Sequence, residues 1–207
     1  MVNFPVFSAE DHARLAEEIR AAEANTSGEI YVVVAHSADT FRLVPVLWAA
    51  LFALLLPWVL RLTTGFSMTL ILSLQVLAFI GLSALLSISR IRYRMVPPAL
   101  ADDAAHRAAL AQFMAHGVHL TAARTGVLLY VCMAPRRIEV LADSGIHAKV
   151  APEKWDEAVA LIAAEASAGR LIDGLAAAIR NLGALLELHF PRTADDRNEL
   201  ADRVVET

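Results

Sequence analysis

Glu29 and Asp143 are the two carboxylates of this chain whose surroundings could support chemistry. Glu29 follows Ser27-Gly28 at the start of a short apolar run, and Asp143 closes another, with Ser144-Gly145 straight after it. A third segment, Arg124-Thr125-Gly126, opens a further apolar run. Two carboxylates can share a hard cation through their oxygens, or divide acid and base roles between them. An arginine nearby, with backbone N–H groups around Gly145, could hold a phosphate. The candidate cluster is therefore Ser27, Glu29, Arg124, Thr125, Asp143 and Ser144, with Glu29 and Asp143 as candidate metal ligands. The same residues admit a structural use, in which one acid pairs with Arg124 and the other caps a turn.

Other reactive residue types form weaker patterns. His116 and His119 are three apart near a helix end, but no cysteine or acid stands at ligand spacing beside them. They read as exposed or capping residues. Ser144, Asp143 and His147 share one loop, which is not the strand–turn–helix setting of a serine nucleophile. No phosphate-cradling glycine loop is present. Cys132 sits in an apolar run and reads as an inert core thiol. As the only cysteine it forms no intrachain disulfide, which fits a reducing compartment.

Connectivity brings the three segments together. Ser8-Ala-Glu-Asp11 has the form of a capping box and opens a helix. That helix is expected to stop near Asn25-Thr-Ser-Gly28, with Gly28 left-handed. Residues 29–36 and 126–133 are β-branched or apolar and read as strands covered on both faces. Residues 137–143 alternate, with Ile138, Val140 and Ala142 on one side and Arg137, Glu139, Leu141 and Asp143 on the other. Ala134-Pro-Arg136 is a tight turn, so the second and third strands are antiparallel. A long connection makes the first two parallel. The starts of the first and second strands and the end of the third then meet at one sheet edge.

The connecting elements are helices. One spans about Ala99 to His116 after the break at Pro97-Pro98, with Leu100, Ala104, Ala108, Ala111 and Met114 as its apolar side, and Gly117 weakens or ends it. Another begins with Pro152 at its first position and runs to about Ala168. A third runs from about Ile172 to His189, and Pro191 ends it. Residues 191–207 form a polar tail that reads as mobile or loosely docked.

Between the first strand and the second lies a gap in charge. From Arg42 to Arg90 the only intervening charge is Arg61, which divides 18 uncharged residues from 28 more. Each run exceeds or nears the ~20 residues that a helix needs to cross a bilayer core. The segment 61–66 reads as the turn between two transmembrane helices, giving a hairpin over 42–90. It interrupts one domain, made of residues 1–41 and 91–190. Pro45 and Pro57 are expected near the ends of the first span, and Trp48, Trp58 and Phe66 near the interfaces. Gln75, strongly polar within the second span, faces lipid or is satisfied locally; a bond to the first helix or a neighbouring protomer is the alternative. Arg42, Arg90, Arg92 and Arg94 flank the hairpin, against Arg61 in its turn, so both termini are expected in the cytoplasm. The first residues do not read as a signal peptide. Hydrophobic residues make up 57% of the 207, an excess that the two spans explain. A net charge of −4 and no basic stripe argue against nucleic acid as a partner.

Three stretches occur in order: Ser-Gly-Glu-Ile-Tyr-Val-Val-Val at 27–34, Thr-Gly-Val-Leu-Leu-Tyr-Val at 125–131, and Arg-Arg-Ile-Glu-Val at 136–140. Together they resemble the TPM domain family over roughly residues 8–36 and 99–190, and the inserted hairpin resembles a bacterial membrane-bound subfamily. The resemblance implies a compact α/β fold with helices on both faces of a small mixed sheet. It also implies weak acid-phosphatase activity, divalent-metal binding, or upkeep of membrane complexes. Where the family carries a Gly-Leu-Glu stretch and further acids, this chain has Asp143-Ser-Gly-Ile-His-Ala-Lys-Val-Ala-Pro152. Only Glu29, Glu139 and Asp143 carry over or lie nearby.

The resulting expectation is a multi-pass protein of the bacterial inner membrane. Its cytoplasmic domain would act without catalysis, binding a membrane-protein partner or a second copy of itself, and would need no cofactor. The alternative is a weak metal-assisted phosphatase, with a divalent cation on Glu29 and Asp143 beside Arg124.

Overall fold

The computed structural model describes residues 7–151, 153–193 and 196–207. The chain forms two compact units, one made of residues 39–101 and the other of the segments on either side.

The first unit is built on α2 (Leu43–Thr63) and α3 (Met68–Leu86), followed by a short α4 (Ser89–Arg92). The two long helices pack on each other, with Ala49, Ala53 and Ile71 buried. Both are long and apolar enough to cross a membrane, and only 22% and 6% of their most apolar windows are buried. A core helix pair in a water-soluble protein would be mostly covered. Here Leu47, Leu54, Trp58, Leu62 and Leu77 are bare.

The details of the hairpin differ from the sequence expectation. Arg61 is not in the turn but in the last turn of α2, where a cation complements the helix dipole. The connection is residues 64–67, and the Ser67 hydroxyl caps α3. Pro57 lies inside α2 rather than at its end. The second apolar run does not stay helical to Ser89, because α3 ends at Leu86.

The second unit is α/β. A four-stranded mixed sheet has the order β3-β2-β1-β4, with β1 Glu29–Ala35, β2 Gly126–Cys132, β3 Arg137–Ala142 and β4 Val204–Glu206. Strand β1 is parallel to β2 and β4, while β2 and β3 are antiparallel. All side chains of β1 and β2 are buried, so both faces are covered. On one face Ile30, Val32, Val34, Val127, Leu129 and Val131 meet α1 (Ala9–Glu23), α7 (Glu153–Ser167) and α8 (Leu171–His189). On the other, Tyr31, Val33, Leu128 and Tyr130 meet Ala109 and Phe113 of α5 (Pro98–Ala115). The capping box of α1 is formed, with Ser8 and Asp11 each accepting from the other's backbone N–H.

Three expectations for this unit are corrected. Gly28 does not take a left-handed conformation; it is glycine because α8 comes so close that a Cβ would sit 2.9 Å from Leu186 Cδ1. On α5 the buried residues of this unit are Ala104, Ala105, Ala109 and Phe113, and Ala108 packs against the core, so Ala104 and Ala108 lie on the inward side as expected. Leu100, Ala111 and Met114 are exposed. Small side chains let α5 approach the sheet, so size outweighed hydrophobicity in choosing the face. The tail is not loose. Val204 is buried, and β4 adds to the edge of β1, with His36 N–H donating to Thr207 O at 2.8 Å. The expected role of Pro152 falls outside the described residues.

Candidate functional site

The register places Glu29, Gly126 and Asp143 in one row across the sheet, since Glu29 aligns with Gly126 and Val127 with Ala142. The three segments therefore meet at one edge. Glu29 N–H donates to Thr125 O at 3.1 Å, and Asp143 N–H to Gly126 O at 2.9 Å. The Thr125 hydroxyl donates to Ser27 O at 2.7 Å. Gly126 is forced by a crossing chain: a Cβ there would lie 2.1 Å from Val118 O, in the 3-10 turn Val118–Leu120.

The row does not bring the two acids together. Strand β2 stands between them, a separation of about 10 Å at ~4.8 Å per strand. Each carboxylate has its own partners. Asp143 caps the short α6 (Ser144–His147), with Oδ1 accepting from Ser144 N–H at 2.6 Å and from the Ser144 hydroxyl at 3.1 Å. Its Oδ2 is buried without a hydrogen bond, 3.8 Å from Arg124 Nη1. That distance is too long for a hydrogen bond but short enough for attraction between the charges. Arg124 donates to His119 O at 2.6 Å and holds a left-handed φ of 55°. The loop thus fixes the guanidinium beside Asp143 at some backbone strain.

Glu29 turns to the tail. Its Oε1 accepts from Glu199 N–H at 3.1 Å and its Oε2 from Leu200 N–H at 3.3 Å. Burial raises its pKa, and those two hydrogen bonds oppose the rise. Beside it is a pocket of about 300 Å3, lined by Arg20, Glu23, Arg192, Asp196, Asn198 and Asp202 among others. Arg20 Nε lies 3.7 Å from Asp202 Oδ2, and Arg192 Nε lies 3.4 Å from Asp196 Oδ2. Among the described residues those pairings leave Glu23 and Glu29 without a cation. Glu23 Oε1 accepts from Ile30 N–H at 2.7 Å. Burial, with the nearby Glu29 and Asp202 charges adding to it, pushes its pKa up to about 8. At neutral pH Glu23 therefore holds a proton that it can donate toward Asp202.

Among the described residues no three His, Cys, Asp or Glu side chains form a group that could hold a metal ion. His116 has both ring nitrogens engaged, with the Tyr31 hydroxyl at 3.1 Å and Gln112 Oε1 at 3.0 Å. His147 is exposed on α6. Cys132 is buried, donates to Ala134 O at 3.4 Å, and has its thiol pKa raised by burial.

Of the six candidate residues, Arg124, Thr125, Asp143 and Ser144 form one group around the β2 entrance. Ser27 joins it through its carbonyl, and its hydroxyl reaches Phe190 O at 3.4 Å. Glu29 belongs to a second, acidic group with Glu23 and the tail. Sequence reasoning missed Arg20, Glu23, Arg192, Asp196, Asn198 and Asp202. The alternation of acids and arginines over 192–203 was the available signal, and it read as the mark of a solvated tail.

No protein-family model matches the chain, and no curated protein does. The fold is similar to the NMR structure of the BA42 protein from the psychrophilic bacterium Bizionia argentinensis sp. nov.. The TM-score is 0.62 at 20% identity, over 100% of this chain and 99% of that one. At that identity the likeness concerns the fold alone.

Proposed function

We propose that this chain is a multi-pass protein of the bacterial inner membrane, whose TPM-like α/β unit is a non-enzymatic docking module in the cytoplasm. The observation that carries the membrane reading is the bare apolar surface of α2 and α3. The arginines at 42, 90, 92 and 94, against Arg61 at the far end of α2, support an orientation with both termini inside. The ordered stretches at 27–34, 125–131 and 136–140 support the TPM assignment. A non-catalytic role is supported by what the carboxylates do. Glu29 fastens the tail and Asp143 caps α6 through Oδ1, a structural use for each carboxylate. The partner would be a membrane protein or a second copy of the chain.

Topology is tested with single cysteines in a Cys132→Ser background. Ser67→Cys, in the hairpin turn, should react with an impermeant maleimide in intact cells, and Ser144→Cys should react only after lysis. Extraction of the protein by alkaline carbonate would refute the spans. Labelling of Ser144→Cys in intact cells would refute the orientation.

A second reading rests on Asp143 Oδ2, buried without a hydrogen bond beside Arg124. It makes the Arg124–Asp143 group the centre of a weak metal-assisted phosphatase. A robust activity lost in Asp143→Ala but kept in Glu29→Ala would favour it. Equal background turnover in parent and variants would dismiss it.

A further inference from the structure

A groove of about 550 Å3 opens between the β2–β3 turn and α7. Its size falls in the range of small-molecule sites, ~300–1,000 Å3. The wall is aliphatic, built from Val131, Ile138, Val159, Ile162, Ala166 and Leu171, and among the described residues no aromatic ring lines it. The polar groups along it are already engaged. The Cys132 thiol donates to Ala134 O, and the Ser167 hydroxyl to Ala164 O at 2.7 Å. Arg137 pairs with Asp102 and donates to Arg136 O at 2.8 Å. Arg136 differs: it is exposed at the rim and its guanidinium has no ion pair among the described residues. The site is thus a greasy trough with one open cation at its mouth.

We propose that this groove binds a free long-chain carboxylic acid, with the alkyl chain along the aliphatic wall and the carboxylate on Arg136. A flexible chain suits a wall that offers no ring for stacking. A neutral lipid would leave the guanidinium unmatched, and a cationic one would be repelled by both arginines. An added peptide strand fits less well. The groove touches β3 only at Arg137 and Ile138, so it crosses the end of the sheet rather than following the open edge. The assignment concerns the α/β unit alone and does not depend on whether the hairpin spans a bilayer.

The test is photolabelling of the full chain in nanodiscs with a diazirine analogue of palmitic acid, with adducts mapped by mass spectrometry. Adducts are expected within residues 131–138 and 159–171, and should be competed by palmitate but not by its methyl ester. Arg136→Gln, at an exposed position, should reduce this labelling about fivefold, the upper worth of one solvent-exposed ion pair. Ala166→Phe should block it by filling the trough. Adducts confined to α2 and α3 would mean simple partitioning into lipid and would overturn the proposal. So would equal competition by the ester, or unchanged labelling of Arg136→Gln.

Discussion

Replacing Glu23 with glutamine should stabilise the protein, and should do so increasingly as pH rises from 4.5 to about 8. In the fold the Glu23 carboxyl holds its proton up to about pH 8, against an ordinary value of 4.5. The folded state therefore binds a proton that the unfolded state has lost. That contribution is fully present below 4.5, fades through the interval, and is gone once pH passes about 8. At ~1.4 kcal/mol per pH unit the whole window is worth about 5 kcal/mol. Water reaches Glu23 through the open side of the pocket and weakens the penalty, so about 1–2 kcal/mol is the expected size. Glutamine keeps an oxygen for Ile30 N–H and adds an N–H for Asp202, imitating the protonated acid without a proton to lose. The assay is thermal unfolding of parent and Glu23→Gln in the same detergent at pH 5 and 8.5. For a chain of this length, 1–2 kcal/mol corresponds to a rise of roughly 2–8 °C at the higher pH, with little difference at the lower. A gap between the two proteins that is equal at both pH values would refute the reasoning.

Gly126→Ala should lower the melting temperature by roughly 2–12 °C, since overpacking costs ~1–3 kcal/mol and the clash is with a backbone carbonyl. Adding Val118→Ala should not rescue it, because Val118 O is the nearest atom; rescue would show that the side chain was the obstacle. Glu29→Ala removes the acceptor for Glu199 and Leu200 N–H, and should speed hydrogen exchange of the β4 amides about tenfold, or ~1.4 kcal/mol. Unchanged protection of residues 204–206 would mean that β4 holds the tail unaided. If the half-buried amide of Gln75 on α3 bonds to a neighbouring helix, Gln75→Leu should lower the yield of crosslinked oligomers in membranes. An unaltered ladder of crosslinked species would exclude that contact.

The two acids illustrate how much of the site could be read in advance. Their placement in one row followed from the hairpin turn at Ala134–Arg136 and the long connection before Gly126, because these fix strand directions. What each acid bonds to did not follow. Glu29 meets Glu199 and Leu200, which lie 170 and 171 residues further along the chain. Nothing near Glu29 in sequence foretells that pairing.

The sequence alone determined the features that neighbours impose on one another. These are the charge-free runs of α2 and α3, the capping box of Ser8 and Asp11, the alternation along β3, and the order and sense of β1, β2 and β3. Each arises from steric or solvation preferences acting over a few residues. Tertiary structure decided which side of α5 turns inward, why Gly28 must lack a side chain, and whether the tail joins the sheet. A three-residue strand such as β4 has too little local preference to form alone. It exists because the open edge of β1 supplies hydrogen-bond partners and Glu29 anchors the approach, and that surface is present only once the rest has folded.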